Sequence, residues 1–329
     1  MRMHKAEMNT KSGILEGAKR YFKNQAIPLI VLAIMIISAA ILTPVFLTKI
    51  NVQNLLIQQS LTMVVSLGMF VVILTGGIDL SVGSIVAVAG VICADFMNKM
   101  PWGLAVLITL CITVLIGAFN GLIVAKLKIA PFIVSLGMLS FASGIAYWYS
   151  HSSPISWSMS AGAAAMKRIG IGKIGAVPIL AIIWILFVIL VSFLMNKTKV
   201  GRIMYAIGGN EEAVNLSGID VSRWKIFPYA FSGLCCGIGG ILLMARLGIG
   251  APTSGDGLEL DCIAGVVIGG TSFSGGKGSV SGVVIGVFIL GIINNILDLM
   301  NVYAYPQLML KGAIIVFAVI LSTIRDKNS

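Results

Sequence analysis

Seven side chains in this sequence are of a type at odds with their surroundings. Asp79, Asn120, Glu259, Asp261, Asn294, Asn295 and Lys311 each fall within, or at the edge of, a long apolar run. A charged or amide group inside hydrocarbon is costly, so each is by default a candidate for function. The amides Asn120, Asn294 and Asn295 can take the place of water around a polar solute, which makes them candidates to line a route across a membrane. Asp79 and Asp261 are predicted to be structural, accepting backbone N–H groups where glycine-rich turns break helices. Glu259 opens the same short run as Asp261 from the outer side, and Asp79 is placed near an inner helix end. Lys311 is expected to pair with an acid or to extend its ammonium toward an interface. Asp298, on the adjacent run, is its expected partner.

Other chemistry is excluded by spacing. The segment GTSFSGGKG at 270–278 looks like a phosphate-binding loop, but that loop needs G-x-x-x-x-G-K followed directly by Ser or Thr. Counting back from Lys277 puts Thr271 at the first glycine position, and Gly278 follows the lysine. The chain is therefore expected to bind neither ATP nor another cofactor. Cys93, Cys111, Cys235, Cys236 and Cys262 all lie in apolar stretches without C-x-x-C spacing, and His4 and His151 stand far apart. Such cysteines behave as small hydrophobes, and no metal site is predicted. A membrane enzyme would need a nucleophile–base or metal-ligand set, and the sequence offers neither.

The elements that carry these residues follow from composition. Of 329 residues 58% are hydrophobic and only 11% charged, and the mean hydropathy is +1.01. Soluble domains carry about a quarter charged residues, so most of this surface faces lipid. A net charge of +11 could suggest nucleic acid, but the basic residues sit between apolar blocks rather than on one soluble face, and nucleic-acid binding is excluded. A membrane helix takes about 20 mainly apolar residues. Ten runs qualify, at 26–47, 55–75, 81–97, 102–126, 131–150, 174–195, 226–247, 258–271, 279–300 and 305–324; the run at 258–271 is short and glycine-rich. The predicted fold is all-α, a polytopic membrane bundle. It has a basic cytosolic tail at 1–25, a membrane domain at 26–324 and a short cytosolic tail at 325–329. The run at 26–47 lacks a small-x-small cleavage site and reads as a retained anchor. With both termini cytosolic, sixteen of the 23 Lys and Arg residues fall in inner segments and five in outer ones, which satisfies the positive-inside rule. Gly76-Gly77 with Gly83-Ser84 is echoed by Gly269-Gly270 with Gly278-Ser279, a hint of the internal repeats common in transporters.

The longest inner loop, 196–225, contains GRIMYAIGGNEEAVNLSG at 201–218. Gly208 and Gly209 give a sharp turn into a helix. Asn210 can cap it, because its side-chain oxygen accepts the first free N–H groups. Glu211 and Glu212 suit the positive end of the helix dipole, Ala213, Val214 and Leu216 form an apolar side, and Gly218 suits a left-handed stop. Two turns of helix are not stable alone in water, so this one rests on its own loop or on a partner.

These stretches resemble the permease subunits of ribose-type sugar importers of the ATP-binding-cassette class, over nearly the whole chain after the N-terminal tail. The resemblance is carried by GGIDLSVGS at 76–84, Asn120-Gly121 with Pro131-Phe132, GRIMYAIGGNE at 201–211, LSGI at 216–219 and ELDCIAGVVIGGTSFSGGKG at 259–278. Departures are Cys262 and Gly265 where alanine is usual and Ile296 where glycine is usual, with Asp298 and Tyr303 in an unusual 296–307 stretch. The resemblance implies a multi-pass protein of the bacterial inner membrane and two permease subunits in a homodimer. It also implies two cytosolic ATPases that use ATP and Mg, and an extracytoplasmic binding protein that delivers a monosaccharide. It further implies that 210–218 is the coupling helix seated in the ATPase. The alternative is a proton-coupled secondary transporter in which Asp79, Glu259 or Asp261 carries the proton; a symporter has no ATPase for a capped inner helix to dock on.

Overall fold

A computed structural model of the chain describes residues 28–327. The predicted basic tail 1–25 and the end of the predicted C-terminal tail lie outside the described residues. Thirteen helices account for most of the described chain. They are α1 (Pro28–Leu42), α2 (Lys49–Leu74), α3 (Val82–Lys99), α4 (Trp102–Leu127), α5 (Pro131–Tyr149), α6 (Ala163–Ile171), α7 (Ile179–Lys197), α8 (Lys199–Gly209), α9 (Glu211–Leu216), α10 (Val221–Leu247), α11 (Leu258–Ile268), α12 (Val280–Leu299) and α13 (Ala304–Lys327). Four two-residue strands form two small antiparallel pairs: β1 (Ile155–Ser156) with β4 (Ile249–Gly250), and β2 (Lys173–Ile174) with β3 (Val177–Pro178).

Helix ends fall where local chemistry sets them. Thr48, Asp220 and Ser279 each accept a backbone N–H from the first turn of α2, α10 and α12, and Pro131 opens α5, where its missing donor costs nothing. The prediction for α7 began at residue 174, but the β2–β3 hairpin occupies 173–178 and Pro178 delays the helix. Among the described residues seven helices (α2, α3, α4, α5, α7, α10 and α12) are long and apolar enough to cross a membrane. The predicted span 258–271 is an 11-residue helix, too short to cross alone.

α10 is the axis of the bundle and packs on α4, α2 and α3. Small residues let the backbones meet: a Cβ on Gly121 of α4 would lie 2.9 Å from the Ile226 Cα of α10, and one on Gly68 of α2 would lie 3.0 Å from the Ser232 Cα. The buried core runs along α2, α3 and α10 into α11 and α12, whereas α4, α5 and α7 turn leucines, isoleucines and phenylalanines outward, as lipid-facing helices do. The segments predicted to be inner gather at one end, where Thr75, Lys128, Asn210, Lys225 and Ser274 share one cleft. The segments predicted to be outer gather at the other: Asn98 donates to the Ser156 carbonyl, and Lys173 and the Ala176 carbonyl both bond Gln53.

The glycine echo has a structural counterpart. Helix α2 stops at Leu74 and the chain turns back through 75–81 into α3, while α11 stops at Ile268 and turns back through 269–279 into α12. Gly76 and Gly270 take φ of 76° and 89° in the two turns, where a side chain would be strained. The turns touch, the Gly276 amide donating to the Leu74 carbonyl at 2.9 Å.

A candidate coupling surface and buried polar sites

The inner loop folds as two helices. Predicted as the sharp turn, Gly208 and Gly209 instead complete α8, whose buried face is Gly201, Ile203, Met204 and Ile207. Gly208 matters for close approach: a Cβ there would press into the Leu74 carbonyl and the Gly276 amide. The break comes one residue later. Asn210 leaves the helix with extended backbone, and its Oδ1 accepts the Ala213 amide at 2.9 Å. Glu211 and Glu212 occupy the first turn of α9, Glu211 also pairing with Lys225 at the start of α10. Gly218 ends the segment at φ 84°. Of the predicted apolar side only Val214 is buried within the chain; Leu216 is 82% exposed, and Ala213 is exposed beside it. Beside α9 opens a cleft of about 540 Å³, lined by Gly208, Gly209, Asn210 and Glu211 together with Lys128 and Lys225. This surface holds no reacting set; it presents a rigidly capped helix and one uncovered leucine.

The polar groups of the bundle sort into separate clusters. Asp79 is fully buried in the turn between the end of α2 and the start of α3: its Oδ1 accepts the Ser81 amide at 3.1 Å and the Ser81 hydroxyl at 2.5 Å, and its Oδ2 accepts the Ser232 hydroxyl of α10 at 2.9 Å. Asn120 donates to the Ser81 hydroxyl at 3.0 Å, seven residues before the end of α4, or about 10 Å along its axis. The Oδ1 of Asn120 and the Tyr229 hydroxyl are both buried without a hydrogen-bond partner. The 75–81 turn is thus pinned by the Ser232 hydroxyl of α10 and the Asn120 amide of α4, together with the Asp79–Ser81 bonds inside it.

Asn295 exchanges two amide hydrogen bonds with Asn51, at 2.9 and 3.0 Å, joining α12 to the first turn of α2; its neighbour Asn294 is half-buried. Lys311 does not pair with Asp298. It binds Asp261 at 3.0 Å, and Asp298 accepts from Gln307 instead. The reason is geometric: α13 returns along α11, which brings residue 311 level with 261, whereas residues 298 and 307 face each other across the short connection. Glu259 is half-buried beside Gly83 of α3. Asn51, Ser232 and Tyr229 were missed by sequence reasoning, because each sits in an otherwise ordinary helical run and acquires its role only through a partner far along the chain.

Lys277 belongs to a tight turn closed by the Ser272 amide on its own carbonyl at 2.9 Å, and Tyr205 of α8 donates to the Gly278 carbonyl at 3.0 Å. The segment is thereby a brace between α8 and α12. Among the described residues no group of three or more His, Cys, Asp or Glu is placed to hold a metal ion, and the five cysteines are free.

Residues 51–319 match the family described as branched-chain amino acid transport system / permease component. The ribose import permease protein of Escherichia coli strain K12 is 39% identical over 312 residues, which covers 93% of this chain and 97% of that protein. The ribose import permease protein of Bacillus subtilis strain 168 is 40% identical over 295 residues, 89% and 91% of the two chains. The galactose/methyl galactoside import permease protein of Escherichia coli strain K12 is 39% identical over 316 residues, 90% and 92%. No solved structure gives a significant match.

Proposed function

The chain belongs to the branched-chain amino acid transport system / permease component family, and from that membership we propose that it is the membrane-spanning permease subunit of an ATP-driven importer for a monosaccharide. The observation that carries this reading is near-complete coverage by import permeases named for ribose and for galactosides. The family description speaks of branched-chain amino acids; the full-length relatives weigh more on the cargo, since each is about two-fifths identical end to end. The subunit is non-catalytic and binds no cofactor; ATP and Mg belong to a separate cytosolic ATPase docked on α9. An extracytoplasmic sugar-binding protein delivers the solute, and a second copy of the permease completes the bundle in the bacterial inner membrane.

Ten crossings with both termini cytosolic agree with the gathering of inner segments at one end and outer segments at the other. The seven long helices are joined by α1, α13 and the short α11, which crosses together with the irregular chain on either side of it. Asn210, Glu211, Glu212, Ala213, Leu216 and Gly218 form the docking helix, and Gly208 and Gly209 brace it. Asn120 and Asn295 are engaged in buried bonds, and of the three amides Asn294 is the one with free surface toward a route. A proton-coupled mechanism is not adopted, since the relatives are import permeases and Asp79 and Asp261 are both occupied by partners.

Reconstitution tests the reading. The permease, its ATPase and its binding protein in vesicles should accumulate labelled ribose or galactose only when ATP is supplied on the ATPase side. Accumulation driven by a proton gradient without the ATPase would overturn it.

A further inference from the structure

Helix α3 gives a ruler for depth. Its last residue, Lys99, lies at the outer end, where neighbouring Asn98 bonds the Ser156 carbonyl. Gly90 is nine residues below Lys99, or about 13 Å, and Gly83 sixteen residues below, or about 24 Å. The chain leaving α10 descends along this ruler. Gly250 lies against Gly90, where a Cβ would stand 2.9 Å from the Val91 Cα, and Gly255 lies against Gly83, where a Cβ would stand 3.2 Å from the Gly83 Cα. Segment 250–257 therefore descends into the layer without a helix or ladder of its own beyond Gly250, and it reaches past the middle of a hydrocarbon layer about 30 Å thick. Helix α11 starts from that depth and not from the outer surface. Its Cys262 lies against the Thr62 carbonyl, halfway along α2.

This deep segment is polar and uncovered. Thr253 and Asp256 are exposed, Ser254 and Glu259 are half-exposed, and the Asp261–Lys311 pair that follows keeps 22% and 25% of its side-chain surface. Irregular backbone facing lipid does not occur at this depth; it is found only where protein covers it or water fills a cavity beside it. The ion pair makes the same demand independently, since a partly exposed carboxylate and ammonium in hydrocarbon would lose hydration that each replaces only once. An apolar cover leaves those charges unsolvated, whereas water does not.

We infer that segment 250–257 and the start of α11 line the aqueous route of the importer, with Thr253, Ser254 and Asp256 facing a neutral polyhydroxylated solute. The inference rests on the importer reading above. The Thr253 and Ser254 hydroxyls can donate to and accept from sugar hydroxyls and the Asp256 carboxylate can accept from them, in place of water, and a loop offers these groups without the deep, selective pocket that would hold the solute back. The Asp261–Lys311 pair closes the lower end of this surface.

The assembled transporter, with ATPase and binding protein, carries the test. Thr253→Cys, Ser254→Cys and Asp256→Cys are made separately in a Cys111→Ala background, since the other four cysteines are buried, with lipid-facing Leu190→Cys as control. A charged, membrane-impermeant methanethiosulfonate reacts with ionised thiols that meet water. The expected result is modification at least about tenfold faster at 253, 254 and 256 than at 190, slowed when ribose or galactose is present during turnover. Three results overturn the inference: no reaction with or without ATP, or after vanadate trapping; reaction only with a lipid-soluble maleimide; or oxidative cross-linking of two copies through 256 without reaction toward the charged reagent. Ser254→Cys is nearly isosteric and keeps the test valid should the other variants fail to insert. Reactive positions in a transporter that takes up no sugar would leave the route standing and refute the sugar reading; sugar uptake with unreactive positions would do the reverse.

Discussion

Replacing Leu216 separates folding from docking, because in the isolated chain this side chain is 82% exposed and belongs to no hydrophobic cluster. Leu216→Ser removes no packing from the permease, and a surface change of this kind costs under about 0.5 kcal/mol of stability. If α9 seats in the ATPase, the leucine becomes buried there, and full burial of such a side chain contributes about 1.5–3 kcal/mol. At about 1.4 kcal/mol per decade, the permease–ATPase affinity should fall by roughly tenfold to a hundredfold. Titration of the detergent-solubilised permease with its ATPase measures the affinity, and thermal unfolding of the permease alone serves as control. Sugar-stimulated ATP hydrolysis and uptake should decline together at limiting ATPase. Val214→Ser is the contrasting case, since Val214 is buried within the chain itself and its loss should also lower permease stability. Unchanged affinity and uptake in Leu216→Ser would refute the docking role of α9.

The adjacent glycines should respond differently: Gly208→Val drives a side chain into the Leu74 carbonyl and the Gly276 amide, whereas a Cβ at Gly209 meets nothing within 4 Å. Overpacking of about 1–3 kcal/mol is expected for the first and little loss for Gly209→Ala, read as the unfolding temperature and ribose uptake; equal tolerance would show that the two turns need not touch. Asn295→Leu and Asn51→Leu should each cost about 0.6 kcal/mol, rising to about 2. The double variant should cost less than the sum of the two, because the amides serve each other, and additive losses in thermal unfolding would disprove the pairing. For orientation, Asn328→Cys should stay unreactive toward an impermeant external thiol reagent in intact cells; labelling there would rule out the even number of crossings.

Much of this was legible because lipid restricts what a chain can do. Apolar runs long enough to span had to be helices, and the starts displaced most are those of α2 and α10, which begin earlier than their apolar runs, and of α7, which a hairpin delays. The cap on α9 was legible for a similar reason: Asn210, the two glutamates and Gly218 act on their own backbone, and local chemistry is written locally. Partnerships across the bundle were not. Asp298 is the acid the sequence offers Lys311, and only the return of α13 along α11 gives the lysine to Asp261 instead. Asn51 and Asn295, 244 residues apart, carry no mutual signal. Gly208 was read for its conformational freedom, when its role is to leave room for two other backbones.

The segment 250–257 shows why polarity alone misplaces a loop. GAPTSGDG between two apolar runs has the composition of a surface turn, and composition registers that water is nearby without registering where the water lies. In a soluble protein the two statements are equivalent, because water is outside. In a transporter they separate, since a route for solute brings water to the middle of the bundle, and a polar turn there satisfies the same chemistry as one at the surface. The information that distinguishes the cases lies in two glycines: a Cβ at Gly83 of α3 would run into the Gly255 carbonyl and a Cβ at Gly250 into the Gly90 carbonyl, so their absence lets the segment descend along α3. A bulky residue at either position would push the loop back toward the surface and leave Glu259 and Asp261 starting a helix from the outer end, where no argument from desolvation would require a route beside them.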